Sequence, residues 1–378
     1  MASDLHMPEE IIDEILVKLP VKSLLRFKCV SKSWCSIITS HGFILNHLRN
    51  SEKEENGTSI VKAYSASRTY FIMLRALWNP ATREIRALSV PHLSITYRSF
   101  IKAHKHVFGF GFDPVTNDHK VVSIEIVWME SETRDIIHFP SPMACHRKRV
   151  SIYSMRDDSW REFTGDFPKC YVRYSWAKAP YVEGSFYPYI DGVYYWCAKD
   201  DNDRPVFLSF HMSDEVFQVI PEKGGRPDQG MYLGPWGGLI SDWDDLVGSR
   251  FGVYNNSLAW IESYPCGCDV PNVFNIWVLK EGAWTKKFLG PFAGATLPLG
   301  FWKTGELLIL DAEQSLFVAN PNTLEMKDLG TVAREAFVYH ESLISVKRRG
   351  EELDNSTAKF IDAWYPERWD DDSSSDEE

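Results

Sequence analysis

The sequence predicts an α plus all-β protein, with a small N-terminal helical bundle followed by a β-propeller of five or six blades. Three observations lead there. Apolar residues recur at helical spacing over the first fifty positions. Beyond about residue 77 the chain reads as short alternating runs broken by turn pairs such as Asp-Gly, Asn-Asn and Thr-Gly. Those runs come as two kinds of hairpin that take turns along the chain. Aromatic residues make up 14% of the 378 positions, and flat rings suit a half-buried pleated surface.

The helices come first. Pro8 suits a first helical position, and Glu9 and Glu10 complement the positive end of the helix dipole. Ile11, Ile12, Ile15, Leu16 and Leu19 then share one broad face until Pro20 stops the run. A second helix fits 21 to 29 with Leu24, Leu25 and Cys29. Ser31 can cap a third bearing Trp34, Ile37 and Ile38, and Ser40 a fourth bearing Phe43, Ile44, His47 and Leu48. The apolar stripe is wider than these short helices can cover among themselves. A segment of about 40 residues rarely holds a core unaided, so it docks on the rest of the chain or on another protein.

One hairpin type reads strand, turn, then a strand opening on a large apolar residue. Copies start at Leu77, Val150, Phe207, Phe274 and Leu316, and their second strands carry Ile85, Trp160, Phe217, Trp284 and Met326. The other type is "FGFGFDPVTNDHKVVSIE", "GSFYPYIDGVYYWCA", "FGVYNNSLAWIES", "GFWKTGELLILD" and "FVYHESLISV". One of each makes a four-stranded blade, and a repeat of roughly 50 residues is kelch-like. The last hairpin lacks a following partner, so strands from the start of the β region are expected to complete it and hide both sheet edges. A β-sandwich is the structural alternative.

The net charge is −11, but the tail "WDDDSSSDEE" alone holds six carboxylates. The body is mildly acidic, which argues against nucleic acid and tolerates a basic protein as partner. The seven cysteines have no framework spacing, the acidic N-terminus is unlike a signal peptide, and no apolar run suits a membrane span. The expectation is a reduced, cytoplasmic protein, the nucleus remaining open, in which the sequons at Asn56, Asn255 and Asn355 carry little weight.

Catalytic motifs are scarce. "GFGFDP" departs from a nucleotide loop because Pro114 replaces the third glycine and a strand follows, so a hairpin is expected. Cys266 with Cys268, and Cys145 beside His146, are the best metal candidates, yet they lack the paired four-ligand spacing of structural zinc. His104 and His106 alternate on one strand face. No metal or cofactor is expected. For recognition, the long loops at 91 to 107, 129 to 149 and 222 to 248 are the places to look. The last offers Tyr232, Trp236 and Trp243 with Asp244 and Asp245, residue types suited to anchoring a protein target.

"MPEEIIDEILVKLPVKSLLRFKCVSKSWCSII" resembles an F-box over residues 7 to about 48, with Met7 where leucine is usual. By that resemblance Pro8, Ile12, Ile15, Leu16, Leu19, Pro20, Leu24, Val30 and Trp34 form or support a surface for the Skp-type adaptor of a cullin-based SCF ubiquitin ligase. The missing part of the helical core is then expected from that partner. The Asn79–Arg83 turn, the "FGFDP" stretch and "AWTKK" resemble plant F-box-associated domains, and the C-terminal "LGFWKTGELLIL" and "VYHESLISVK" look most like the S-locus F-box branch. The stretch from 50 to 77 is shorter than the family's.

The division implied is an F-box at 1–48, a linker and shortened first-blade start at 49–67, an F-box-associated propeller at 68–350, and an acidic extension at 351–378. The function implied is a non-catalytic substrate receptor that brings a target to ubiquitylation. In the S-locus branch that target is a non-self S-RNase, a basic protein, in pollen self-incompatibility. Three alternatives stand beside it: a general receptor for another regulator, for instance in defence signalling; a degenerate member without a target; and a propeller enzyme capped by the helices.

Overall fold

The computed structural model describes residues 9–53, 58–63, 76–88, 101–129, 146–172, 189–202, 205–221, 232–233, 239–240, 250–264, 272–302, 305–333 and 335–347. Among them are four helices, α1 (Glu9–Leu16), α2 (Val21–Phe27), α3 (Lys32–Thr39) and α4 (His41–Lys53), and otherwise antiparallel strands. No helix among the described residues is long and apolar enough to cross a membrane. The chain divides into two compact units. One holds the helices with residues 75–89 and the segment from 342 onward; the other holds 50–74 and 90–341.

In the helical unit the serines act as the sequence predicts. Ser31 lies in extended backbone and its Oγ accepts from the Trp34 N–H at 3.1 Å, while Ser40 Oγ accepts from the Phe43 N–H at 3.3 Å. Pro20 directly precedes α2, and His47 Nε2 on α4 bonds the Leu19 carbonyl at 2.8 Å, fixing the α1–α2 corner. Leu16, Val21, Leu24, Ile38 and Phe43 form the core. Leu343 is buried in that same core, and Ala81 packs against it. Part of the apolar stripe is therefore covered from within the chain, which corrects the expectation that a partner supplies the whole remainder.

Among the described residues, the β unit contains four larger sheets in succession, three of them four-stranded meanders of the expected kind. The first orders Ile101–Asp113, Asp118–Met129, His146–Ser154 and Ser159–Glu162. The third orders Arg250–Tyr254, Ser257–Tyr264, Asn272–Lys280 and Ala283–Phe292, and the fourth Ala295–Trp302, Glu306–Asp311, Ser315–Ala319 and Met326–Val332. The second departs from expectation. Its strand Val193–Asp200 meets Tyr189–Ile190 across the Asp-Gly turn, but its far end pairs with Cys170–Val172, and Pro205–His211 and Val216–Pro221 follow. The last predicted hairpin is only half formed: Glu335–His340 is a strand and 341–346 is not. That strand pairs antiparallel with Thr58–Ala63, from Thr58↔His340 to Ala63↔Glu335, so the two ends of the β region close on each other.

"GFGF" is strand, not phosphate loop, and packing explains its glycines. A Cβ on Gly109 would lie 2.8 Å from Tyr194 Cδ1, and one on Gly111 only 2.6 Å from Tyr189 Cε2 and 2.7 Å from Met212 Cε. The second sheet thus lays its rings directly on the first sheet's backbone. Trp196 Nε1 donates to the Phe108 carbonyl at 3.0 Å and Tyr189 Oη to that of Phe112 at 2.7 Å. Between the two sheets Val122, Ile124, Ile152, Trp196, Leu208 and Phe210 are almost wholly buried. Second and third sheets meet through Phe207 and Trp284, 5.3 Å between ring centres, and through Asn256 Nδ2 donating to Asp191 Oδ2 at 2.7 Å. Third and fourth share Ile261, Phe274, Ile276, Leu307 and Ile309.

At the rim of the first two sheets lies a buried charge cluster. Lys120 Nζ donates to Asp113 Oδ2 at 2.7 Å, Glu215 Oε1 at 2.8 Å and the Met212 carbonyl at 2.8 Å. Arg161 reaches the same Glu215 oxygen. Burial alone would raise the Asp113 carboxyl, but hydrogen bonds from Lys120, Thr116 and Ser213 outweigh it and hold it well below the usual carboxylate range. Burial likewise opposes charge on Glu215 and is outweighed by Arg161 and Lys120. For Lys120 the burial that disfavours the ammonium is overcome by the same two carboxylates, so its pKa rises.

Two outcomes are expected. Gly111→Val should destabilise the protein by about 1–3 kcal/mol through overpacking against Tyr189 and Met212, measurable by urea denaturation. Because both carboxyls are depressed in the folded state, their stabilisation is present above the ordinary values of 3.8 and 4.5 and fades as pH falls through the lower folded ones. Lys120, raised, contributes fully below 10.5 and loses its share only above that. Melting temperature should therefore drop steeply below about pH 4, and Glu215→Gln should make that acid limb shallower.

Candidate functional site

The helical unit presents apolar side chains that its core does not use. Ile11 and Ile15, one turn apart on α1, are 45% and 48% exposed, and Val30 after α2 is 59% exposed. Pro20 is exposed between α1 and α2. Ile12, Leu19 and Trp34 are half-buried, the last with its ring edge-on to Phe27 at 5.4 Å. Leu16 and Leu24 are 1% and 0% exposed. The predicted set thus splits. Ile15, Pro20 and Val30 are available to a partner, Ile12, Leu19 and Trp34 border them, and Leu16 and Leu24 hold the helices together. Pro8 lies outside the described residues. Ile11 was absent from the predicted surface although it belongs to the same periodic run; its i, i+4 relation to Ile15 was the available signal.

Cations lie among these residues. Between Ile15 and Ser51 the chain has no Asp or Glu but carries Lys18, Lys22, Arg26, Lys28, Lys32 and Arg49. All but Lys28, which is half-buried, are exposed. The surface offers apolar contact and positive charge, which suits binding.

The hairpin Ala76–Asn79 to Glu84–Ala87 braces the helical unit. Asn79 is buried, and its Oδ1 accepts from the N–H groups of Ala81 at 3.0 Å and Thr82 at 3.4 Å, shaping the Asn-Pro-Ala-Thr turn. Its Nδ2 donates to the carbonyls of Ser342 at 2.9 Å and Ile344 at 2.7 Å. Glu84 Oε2 accepts from the Val346 N–H at 3.0 Å. One side chain thus builds a turn and clamps the segment that places Leu343 in the helical core.

The same [Asn/Asp]-Pro-x-Thr turn occurs twice more. Asp113 Oδ1 accepts from Val115 N at 2.9 Å and Thr116 N at 3.2 Å, and Asn320 Oδ1 from Asn322 N at 2.8 Å and Thr323 N at 3.3 Å. In each the fifth residue, Arg83, Asn117 or Leu324, has φ between 55° and 59°.

Of the predicted target-binding residues, Tyr232 is described only as backbone, in the two-residue strand Tyr232–Leu233 paired with Leu239–Ile240. Trp236, Trp243, Asp244 and Asp245 lie outside the described residues, as do the candidate metal ligands Cys145, Cys266 and Cys268. The side chains of His104, His106 and His146 do so too.

Successive four-stranded antiparallel meanders define a β-repeat protein, and its short helices carry exposed apolar side chains. A model of the F-box associated beta propeller domain matches residues 25–294, and the chain belongs to that family. Among curated relatives, an Arabidopsis thaliana protein named as an F-box protein, At5g62060, is 29% identical over 226 residues, 57% of this chain and 65% of the relative. The Arabidopsis F-box/kelch-repeat protein At3g23880 is 27% identical over 291 residues, 64% of this chain and 72% of the relative. The match thus spans slightly less than two thirds of the first of these relatives. Among solved structures, an oligogalacturonate lyase from Vibrio parahaemolyticus is 10% identical, with a TM-score of 0.35 over 67% of this chain and 59% of that one. A likeness that slight bears on neither fold nor function.

Asn79 supplies the prediction. Asn79→Asp keeps the turn acceptor but sets a carboxylate against two carbonyl oxygens, whereas Asn79→Ala only removes the bonds. The aspartate should be the worse change, by about 1–2 kcal/mol beyond the roughly 1–3 kcal/mol of the alanine, in chemical denaturation at pH 7. Hydrogen exchange should show faster exchange at Val346 in both.

Proposed function

We propose that this protein is a non-catalytic substrate receptor of an SCF-type ubiquitin ligase, in which the helices hold a Skp-type adaptor and the β unit holds a protein target. The observation that carries it is the exposed set Ile11, Ile15, Pro20 and Val30, on helices whose core is closed partly by their own chain. Family membership and the names of the relatives support it. In this reading residues 1–48 act as the F-box, 49–67 as linker, 68–350 as a propeller of five or six blades and 351–378 as an extension. The chain's own contribution to ubiquitin transfer is proximity, raising the effective concentration of target near a catalytic thiol on another protein. An S-RNase target rests on the S-locus resemblance alone.

The test is binding to a purified Skp-type adaptor, measured by calorimetry. Ile15→Asp with Val30→Asp should weaken the complex on the order of a hundredfold, because each change removes apolar contact and places a charge in the interface. Its circular dichroism and melting temperature should stay near wild type. Leu16→Asp, by contrast, should unfold the helical unit itself. A wild-type protein that does not bind the adaptor, or a double variant that binds as well, would sink the proposal.

A further inference from the structure

The basic stretch of the helices has a complement in the same chain. Lys18, Lys22, Arg26 and Lys32 are exposed, and among the described residues none of them makes an ion pair. Lys22 and Arg26 stand one turn apart on α2, with Val21 and Leu24 buried on its other side. Five cations between 18 and 32 with no carboxylate among them is a strong local field in a protein of net charge −11.

Residues 369–378, "WDDDSSSDEE", carry six carboxylates. The chain reaches them from the helical unit itself. Leu343 is fixed in the helical core, Asn79 clamps residues 342 and 344, and Val346 is buried, so the described chain ends at residue 347 within a residue of a segment held against these helices. The stretch from 348 to 369 spans up to about 70 Å when extended, several times the length of α4 at about 20 Å. Tethering at such a distance gives an effective concentration of order millimolar, enough for a weak ionic contact to be occupied.

We propose that the acidic segment 369–378 docks on the basic surface formed by Lys18, Lys22, Arg26, Lys28 and Lys32 of its own chain. Trp369 at its head supplies an apolar contact for Val30 or Pro20. Phosphorylation of Ser373, Ser374 or Ser375 would add charge and tighten the contact. If the helices hold an adaptor as proposed above, the docked segment covers part of the same face and competes with it. That consequence rests on the adaptor reading; the docking does not.

The experiment uses a fluorescein-labelled peptide WDDDSSSDEE and three full-length proteins, read by fluorescence anisotropy. One is wild type. The second has its tail neutralised by Asp370→Asn, Asp371→Asn, Asp372→Asn, Asp376→Asn, Glu377→Gln and Glu378→Gln. The third adds Lys22→Glu, Arg26→Glu and Lys32→Glu to that tail. The peptide should bind the tail-neutralised protein at least tenfold more tightly than wild type, whose own segment occupies the surface. Binding should weaken severalfold between about 50 and 200 mM salt and vanish in the third protein. Circular dichroism checks that the third protein is folded; Lys22→Gln, Arg26→Gln and Lys32→Gln replace the reversals if it is not. Equal affinity for wild type and the neutralised protein, binding that survives loss of the cations, or no binding to any of the three would each overturn the proposal. Since the peptide assay contains no adaptor, its result stands apart from the adaptor test.

Discussion

The junction between the first two sheets depends on one buried ammonium. Lys120 has only 7% of its side chain exposed and faces two carboxylates and a carbonyl, so its charge is stable there only because Asp113 and Glu215 face it at 2.7 and 2.8 Å. Those partners come from different places. Asp113 ends the strand that pairs with Lys120's own, and Glu215 sits in the turn of the neighbouring sheet. The ion cluster can form only when the sheets are in one relative position. Gly109 and Gly111 permit that position by leaving room for Trp196, Tyr194 and Tyr189. Apolar burial between the sheets supplies most of the attraction, and the cluster selects the register.

The helical unit follows a similar logic with neutral groups. Four short helices bury Leu16, Leu24, Ile38 and Phe43, and the sequence-distant Leu343 fills what they leave open. Asn79 holds Leu343 there by donating to the carbonyls on either side of it. With Leu343 in place, Ile11, Ile15 and Val30 stay exposed while Leu16 and Leu24 are buried, which is why the former, and not the latter, carry the argument for a partner.

What was legible in the sequence was local. Hairpins announced themselves through alternation and turn pairs, and Ser31 and Ser40 through capping preference, because each is decided within a few residues. Half of the "FVYHESLISV" hairpin failed because residues 341–346 find partners near Asn79, more than 250 positions upstream, and no short window shows that. The pairing of Val193–Asp200 with Cys170–Val172 was hidden for the same reason. Within α1, periodicity gives a broad apolar face but not which half is covered, since that depends on what else arrives. Ile15 and Leu16, adjacent in sequence, could be ranked only with the fold in hand.

The [Asn/Asp]-Pro-x-Thr turn ties these levels together. In all three copies one side-chain oxygen accepts the two N–H groups that start the turn, so either residue serves. The other side-chain atom takes neither of those N–H groups, and its chemistry decides what the turn can hold. An amide nitrogen donates, so Asn79 fits the carbonyl-rich backbone at 342–344. A carboxylate oxygen accepts, so Asp113 fits the Lys120 ammonium. At Asn320, which is half-buried, the local turn is the role that its bonds describe. The same local motif thus becomes a long-range clamp by a single-atom choice, nitrogen or oxygen, made to match whatever the fold brings alongside.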